Sequence, residues 1–399
     1  MIQDSLKRRL ISSLEPVLQV FCSFLVLGLG SFGGPVAHIG YFQRSFVQKK
    51  QWLSDSEFSQ ATALCQFLPG PASSQLGMFI GYRKAGYIGA LAAFVGFTLP
   101  SAALLTVLAV LENRDYQPEW VYQVIQAAKL LAVVVVADAL FSMVKKNLTD
   151  KLTVCIAVLA AISVFFTHEL SGQLLPILLA AATGFVLSFM QKEPTDKTMP
   201  PSSPGKSNVV ILAVFLVLLL GLPYLAVLSK EWAVFNNFYQ AGSFVFGGGH
   251  VVLPLLEPLV QQWIDANTFL SAYASAQLVP GPMFTMASYL GAASLPETAV
   301  WGSVLATLAI FLPGSLLLFA FLPAWQSLLQ HPRLRLSVKT ITASVVGLLA
   351  AAWVDPVITT SSITSGWDIL VVVIGFGLLK RQLPVWCLAM IFIGYSFVI

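Results

Sequence analysis

Gln66-Phe67-Leu68-Pro69-Gly70-Pro71 lies in the middle of a strongly apolar stretch, and 211 residues later Gln277-Leu278-Val279-Pro280-Gly281-Pro282 lies in the middle of another. Proline lacks a backbone N–H and clashes with the carbonyl one turn back, while glycine takes positive φ freely. Pro-Gly-Pro therefore stops one helix and starts the next. The surroundings repeat as well. Gln51-Trp52-Leu53 answers Gln262-Trp263-Ile264 at the same offset, Ser31-Phe32-Gly33-Gly34-Pro35 answers Val245-Phe246-Gly247-Gly248-Gly249 at offset 214, and Leu99-Pro100 answers Leu312-Pro313 at offset 213. Small shifts between matching blocks are what duplication followed by drift leaves behind, and a helix broken at one depth in both halves points to a transporter.

With 57% hydrophobic and 10% charged residues, the chain reads as an all-α polytopic membrane protein. Apolar stretches cover 16–31, 58–82, 86–111, 121–144, 151–167, 173–190, 208–228, 232–249, 268–292, 297–323, 336–355, 367–379 and 383–399. The one linker-like interruption, Gln191 to Asn208, carries Pro194, Pro200, Pro201 and Pro204 among polar residues. This divides the chain into a first repeat (1–190), a linker loop with one extra segment (191–231) and a second repeat (232–399).

Cytoplasmic loops retain Lys and Arg. Lys7, Arg8 and Arg9, Arg83 and Lys84, Lys145, Lys146 and Lys151, Lys192, Lys197 and Lys206, Arg333, Arg335 and Lys339, and Lys380 and Arg381 mark that side, whereas Glu112 to Glu119, His168-Glu169 and Asp355 to Asp368 fall outside. The N-terminus is then cytoplasmic and carries no signal peptide. The two repeats run in opposite directions, flipped by the extra segment at 208–228. Arg44, Lys49 and Lys50 resist this scheme if 16–31 and 58–82 both cross fully. Each half of 58–82 is about 16 Å long at the helical rise, half the hydrocarbon thickness, so a broken span and a re-entrant hairpin fit equally well.

A break at membrane depth leaves backbone groups unpaired, which is tolerated where protein or a water-filled cavity satisfies them and where transporters hold substrates. With Pro71 or Pro282 at the helix start, the N–H groups of Ser73 and Ser74, or of Phe284 and Thr285, point at the break and form an anion site without a cation. The candidate substrate residues are Gln66, Pro69, Gly70, Pro71 and Ser74 with their counterparts Gln277, Pro280, Gly281, Pro282 and Thr285. Each Gln either donates to an oxyanion or patches a freed carbonyl. Gly33, Gly34 and Pro35, and Gly247, Gly248 and Gly249, join them, with close helix crossing as the alternative. His38 is a weaker candidate. Lys129, costly at membrane depth, is either a counter-charge to the anion or paired structurally; Asp138, nine residues on, faces the opposite side of the helix.

Other chemistry finds little support. Cys22, Cys65, Cys155 and Cys387 lie singly in apolar runs and read as buried free thiols. His38, His168, His250 and His331 are scattered, so no metal site is expected, and no cofactor either. Hydrolase, zincin and phosphate-loop motifs are missing, which argues against an enzyme. The net charge of +4 is spread over loops and requires no nucleic acid.

Phe32 to Ile39, Gln66 to Pro71, Gly86-Tyr87-Ile88-Gly89-Ala90 and Leu99-Pro100, with Phe246 to Gly249, Leu253-Pro254, Gln277 to Pro282 and Leu312-Pro313 in the second half, resemble the chromate ion transporter family. The resemblance covers nearly the whole chain. It implies the long form with two homologous domains, efflux of chromate, sulfate as a close chemical relative, and chromate resistance in a bacterial inner membrane. An inside-negative potential drives a dianion outward by roughly 4.6 kcal/mol per 100 mV. The competing readings are a carrier of sulfate or another small oxyanion and, less favoured, a lipid-handling membrane protein. A homodimer is the default expectation for a symmetric carrier.

Overall fold

The computed structural model describes residues 2–112, 118–166, 171–190, 207–246, 248–324 and 332–398, and no strand occurs among them. The first repeat contains α1 (Ile2–Gly30), α2 (Gly34–Phe42), α3 (Asp55–Phe67), α4 (Ala72–Glu112), α5 (Glu119–Asn147), α6 (Lys151–Phe166) and α7 (Ser171–Met190). After α8 (Val209–Leu225), the second repeat answers with α9 (Lys230–Phe244), α10 (Val252–Val260), α11 (Ala266–Leu278), α12 (Met286–Ser294), α13 (Ala299–Phe321), α14 (Pro332–Ala352), α15 (Gly366–Lys380) and α16 (Val385–Ser396). Five helical stretches, 72–112, 119–147, 172–189, 296–324 and 334–358, are long and apolar enough to cross a membrane. The chain is a multi-pass membrane protein. Linker residues 191–206, with His168 and His331, lie outside the described residues.

Antiparallel helices meet at residue pairs whose midpoint marks the reversal. Phe24 and Phe42 pack ring to ring at 5.4 Å, centring the α1–α2 pair on residue 33. The Arg83–Glu57 ion pair at 2.5 Å centres the next pair on residue 70. Gly81 and Gly89 touch through their backbones, centring a third reversal on residue 85, where Ala85 (φ −147°) and Gly86 (φ 65°) break α4 in two. In the second repeat, Asn237 Nδ2 donates to the Leu259 carbonyl at 2.6 Å, centring α9–α10 on residue 248. Gly291 and Gly302 likewise face each other across the α12–α13 turn.

The stretch 58–82 thus enters and turns back at Pro-Gly-Pro, and α1–α2 does the same at the glycine element. Lys50 and Lys84 lie over the Trp52 ring at 5.2 and 5.1 Å, so the loop holding Arg44, Lys49 and Lys50 shares a face with Arg83. That removes the charge anomaly, since two returning hairpins leave the chain where it started. From this basic face the second half of α4 runs to Glu112. There Lys129 Nζ donates to Asn267 Oδ1 at 2.6 Å, tying α5 to the head of α11. The second set of hairpins therefore opens at the opposite end of α4, in keeping with two repeats of opposite orientation.

Close approach depends on small residues. A Cβ at Gly28 would lie 2.8 Å from the Gly96 carbonyl oxygen, and one at Gly96 would lie 2.7 Å from that of Phe21, so α1 and α4 cross backbone to backbone. The closing helices are exchanged: α6 and α7 pack on α14, whereas α15 and α16 pack on α5. Of the cysteines, only Cys65 is buried; Cys22 and Cys155 are exposed and Cys387 partly so. The expectation of four buried thiols is corrected, because an apolar run in a membrane protein faces lipid as readily as protein.

Candidate functional site

The two Pro-Gly-Pro tips cross. Gly70 N–H donates to the Val245 carbonyl at 2.8 Å, and Gly281 N–H donates to the Ser31 carbonyl at 2.9 Å. Each tip thereby satisfies the carbonyl at the end of the other repeat's first helix, a group that the break would leave orphaned. Both glycines hold φ at +110°, which other residues adopt only with strain. Each also presses on the long helix of the opposite repeat. A Cβ at Gly70 would lie 2.9 Å from Gly314 Cα, and one at Gly281 would lie 2.7 Å from Ser101 Oγ. The glycine elements meet as well, since a Cβ at Gly249 would stand 3.5 Å from the Pro35 ring. Gly247 lies outside the described residues.

Four helical segments start at this crossing: α2 after Gly33 (φ 103°), α4 after Pro71, the turn into α10 after Gly248 (φ 134°), and the turn into α12 after Pro282. Gln75 N–H makes the first intrahelical bond of α4, to the Pro71 carbonyl, leaving the N–H groups of Ala72, Ser73 and Ser74 without an intrahelical acceptor. The second copy is tighter. Thr285 N–H already bonds the Pro282 carbonyl at 3.0 Å in a 3₁₀ turn, and Thr285 Oγ1 donates to the same oxygen at 2.6 Å. The expected pairing of Ser74 and Thr285 is therefore unequal: the buried Ser74 hydroxyl is unpartnered, while that of Thr285 is bonded. Ser31 Oγ, fully buried at the first break, is also unpartnered.

His38 is buried against the edge of Phe97, with Nε2 3.2 Å from the Ser31 carbonyl and Nδ1 3.4 Å from Ser73 Oγ. That carbonyl only accepts, so Nε2 carries the proton and Nδ1 accepts from Ser73. His38 thus holds the first break together from within. Gln75 does the same for the tip, with Nε2 3.0 Å from the Pro69 carbonyl and 2.9 Å from that of Gly314. The patching role weighed for the Gln66–Gln277 pair falls in the first repeat to Gln75, whose counterpart is Met286. Comparing repeats could not have found it. Gln277 donates to Met283 Sδ at 2.9 Å and lines the cavity, whereas Gln66 is exposed.

A cavity of about 40 Å³ opens between Gly33, Gly34, His250, Gln277 and Gly281, walled by Val135 of α5 and Val385 of α16. It has room for little beyond ordered water, so a tetrahedral ion requires these elements to separate. Lys129 is 2% exposed and bonded to Asn267, with Glu112 and Asp265 within Coulombic range. The geometry supports its structural pairing, one turn and more along α5 from the cavity wall at Val135.

Coverage differs between the repeats. Residues 269–276 of α11 are all buried, as is most of α10. On α3, by contrast, Ser56, Ser59, Gln60 and Gln66 form an exposed polar stripe leading from the basic face to the break, and on α2 Val36 is 82% exposed. Hydroxyls and amides left bare on a membrane-embedded hairpin indicate contact with water. Among the described residues no group of three or more His, Cys, Asp or Glu is placed to hold a metal.

The family model described as "Chromate transporter" matches residues 18–187 and again 232–396. The chain is 30% identical over 341 residues to the chromate transport protein of Cupriavidus metallidurans, covering 84% of this chain and 81% of that one. It is 28% identical over 337 residues to a probable chromate transport protein of Synechococcus elongatus (82% and 81% covered), and 24% identical over 388 residues to the chromate transport protein of Pseudomonas aeruginosa (90% and 86%). No solved structure matches the chain.

Proposed function

The chain belongs to the chromate transporter family, and on that premise we propose that it exports chromate across a bacterial inner membrane, binding the ion where the two Pro-Gly-Pro tips cross. The crossing carries this reading. It gathers helix N-termini at one depth, and the free N–H groups of Ala72, Ser73 and Ser74, with the unpartnered hydroxyls of Ser31 and Ser74, suit an oxyanion. Gly33, Gly34, Gln277 and Gly281, which line the small cavity, supply the remaining wall, with Pro35, Gly248, Gly249 and Pro280 as their chain neighbours. His38 and Gln75 tie the breaks together around that site, and Lys129 stays outside the anion shell.

Charge supports the direction. Arg44, Lys49, Lys50, Arg83, Lys84, Lys145 and Lys146 lie on the face toward which the polar stripe opens, whereas Glu112, Asp265, Glu257 and Asp355 lie toward the other. A basic face is the cytoplasmic one by the positive-inside rule, which puts the N-terminus there too. A dianion is then drawn to the mouth of an inward-open carrier, and the membrane potential favours its exit by roughly 4.6 kcal/mol per 100 mV. In reconstituted vesicles with an imposed potential, chromate flux should follow the sign of the potential, and sulfate should compete as the nearest chemical relative. Flux indifferent to that sign would exclude the electrogenic reading, and no flux of either ion would remove the function itself.

A further inference from the structure

One charge pair stands beside the cavity and takes no part in the crossing. Lys380 Nζ lies 2.6 Å from Asp138 Oδ1, and both side chains are one-third exposed. Asp138 is one turn beyond the cavity-lining Val135 on α5, and Val385, five residues after Lys380, lines the same cavity on α16. The cavity-lining His250 is within Coulombic range of Asp138. Helix α15 ends at Lys380 while α5 runs on from 138 to Asn147, about 13 Å further at the helical rise. The pair therefore sits along the helices between the basic end of α5 and the level of the cavity-lining Val135. Phe141 and Phe376 present their rings to the ammonium at 3.9 and 5.2 Å, fixing the cation without neutralising it.

The other ion pairs lack this placement. Among the described residues, Arg83–Glu57 joins the two arms of a hairpin on the basic face, Lys339–Asp150 ties α14 to the residue before α6, and Lys129 is buried and already bonded. An ammonium has three N–H donors, and a single carboxylate oxygen occupies one of them. A permanently free lysine beside converging helix N-termini would hold a dianion too firmly to release it. A carboxylate competing for the same cation weakens the hold, as passage requires.

We propose that Lys380 is a relay site for small oxyanions: the ion moving between the basic face and the crossed breaks binds the Lys380 ammonium in place of Asp138, which reclaims it once the ion has left. The inference rests on the oxyanion-carrier reading above.

The test measures equilibrium binding of chromate and of sulfate to purified protein in nanodiscs, and flux of both in vesicles. Lys380→Gln should weaken binding about tenfold, the scale of one charge-assisted hydrogen bond. Asp138→Asn should shift binding the opposite way, tightening it several-fold while slowing turnover, and Lys380→Arg should retain most binding. A pair that merely clasps α5 to α15 would make both neutralising variants worse together. Shifts in the same direction, or no change in Lys380→Gln, overturn the relay. Should Lys380→Gln not fold, Asp138→Asn alone decides, since it must tighten binding. Binding by the wild type without flux would defeat the carrier reading and the relay with it, leaving Lys380 as an oxyanion-binding group only if Lys380→Gln weakens that binding; wild-type flux with unaltered Lys380→Gln binding would overturn the relay and leave the carrier reading standing. A wild type that binds neither ion overturns the relay too.

Discussion

Gly281→Ala tests the crossing most directly. The substitution forces alanine to φ +110°, at a cost of about 1 to 3 kcal/mol for a non-glycine residue in that region. The new Cβ would meet Ser101 Oγ at 2.7 Å, Ser101 Cβ at 3.2 Å and the Phe97 carbonyl oxygen at 3.4 Å, adding about 1 to 3 kcal/mol of overpacking. Relief by moving the tip would stretch the 2.9 Å bond from Gly281 N–H to Ser31, so the strain falls on the site itself. Two further variants separate the terms. Gly281→Ala combined with Ser101→Gly, which copies the Gly314 of the other repeat, removes the overpacking but keeps the backbone strain and should recover about half the loss. Gly70→Ala should be worse than either, because its Cβ would meet Gly314 Cα at 2.9 Å, and backbone cannot rotate aside as a serine hydroxyl can. Thermal denaturation in detergent and chromate flux in vesicles should rank the variants in that order. A Gly281→Ala protein as stable and active as wild type, or a double variant less stable than the single one, would refute the crossed geometry.

Gln75→Met, copying Met286, leaves the Pro69 carbonyl unpaired, takes a second donor from the Gly314 carbonyl, and should destabilise by about 1 to 3 kcal/mol, read as a lower midpoint in the same denaturation assay. Cysteines at 57 and 83 should be bridged by a short bifunctional thiol reagent, since the Glu57 and Arg83 side chains reach each other; a span crossing the membrane would keep them on opposite faces and give no crosslink. Lys339, and then the Thr153 N–H, hold the Asp150 carboxyl down at about 2. A depressed carboxylate stabilises the fold above the ordinary value of about 4, and that contribution fades as the pH falls toward 2. Because the pair is more than 40% exposed, Asp150→Asn should cost about 0.5 kcal/mol or less, whereas Asp150→Ala also removes the cap on Thr153 N–H and should cost about 1 kcal/mol more. Equal midpoints for the two variants at neutral pH would contradict this division.

Much of the site was legible because Pro-Gly-Pro acts through local stereochemistry, which sequence states outright, and because duplication marked which breaks matter. Loop charges likewise point to opposed directions for the two halves, with which the crossing is consistent. Whether 58–82 crosses or returns was not legible, since two half-length helices have the same composition in either case; only the contact between Glu57 and Arg83 decides it. Gln75 escaped notice because its role has no counterpart in the second repeat. The Asp138–Lys380 pair escaped because it joins helices that are far apart in sequence and adjacent only through the exchange of closing helices. Lys129 carried a signal of cost, but its partner Asn267 is uncharged and lies in the other repeat, where no charge pattern could reveal it.

The crossed hydrogen bonds also govern how the protein comes into being. The Ser31 carbonyl waits for the N–H of Gly281, synthesised 250 residues later, and the Val245 carbonyl needs a group made long before it. The first half must therefore rest in the bilayer with its breaks open until the second half arrives to close them. A ribosome paused after residue 190 should expose an unfinished, protease-sensitive intermediate. A gene encoding only one such half would yield a working carrier only if its product entered the membrane in both orientations.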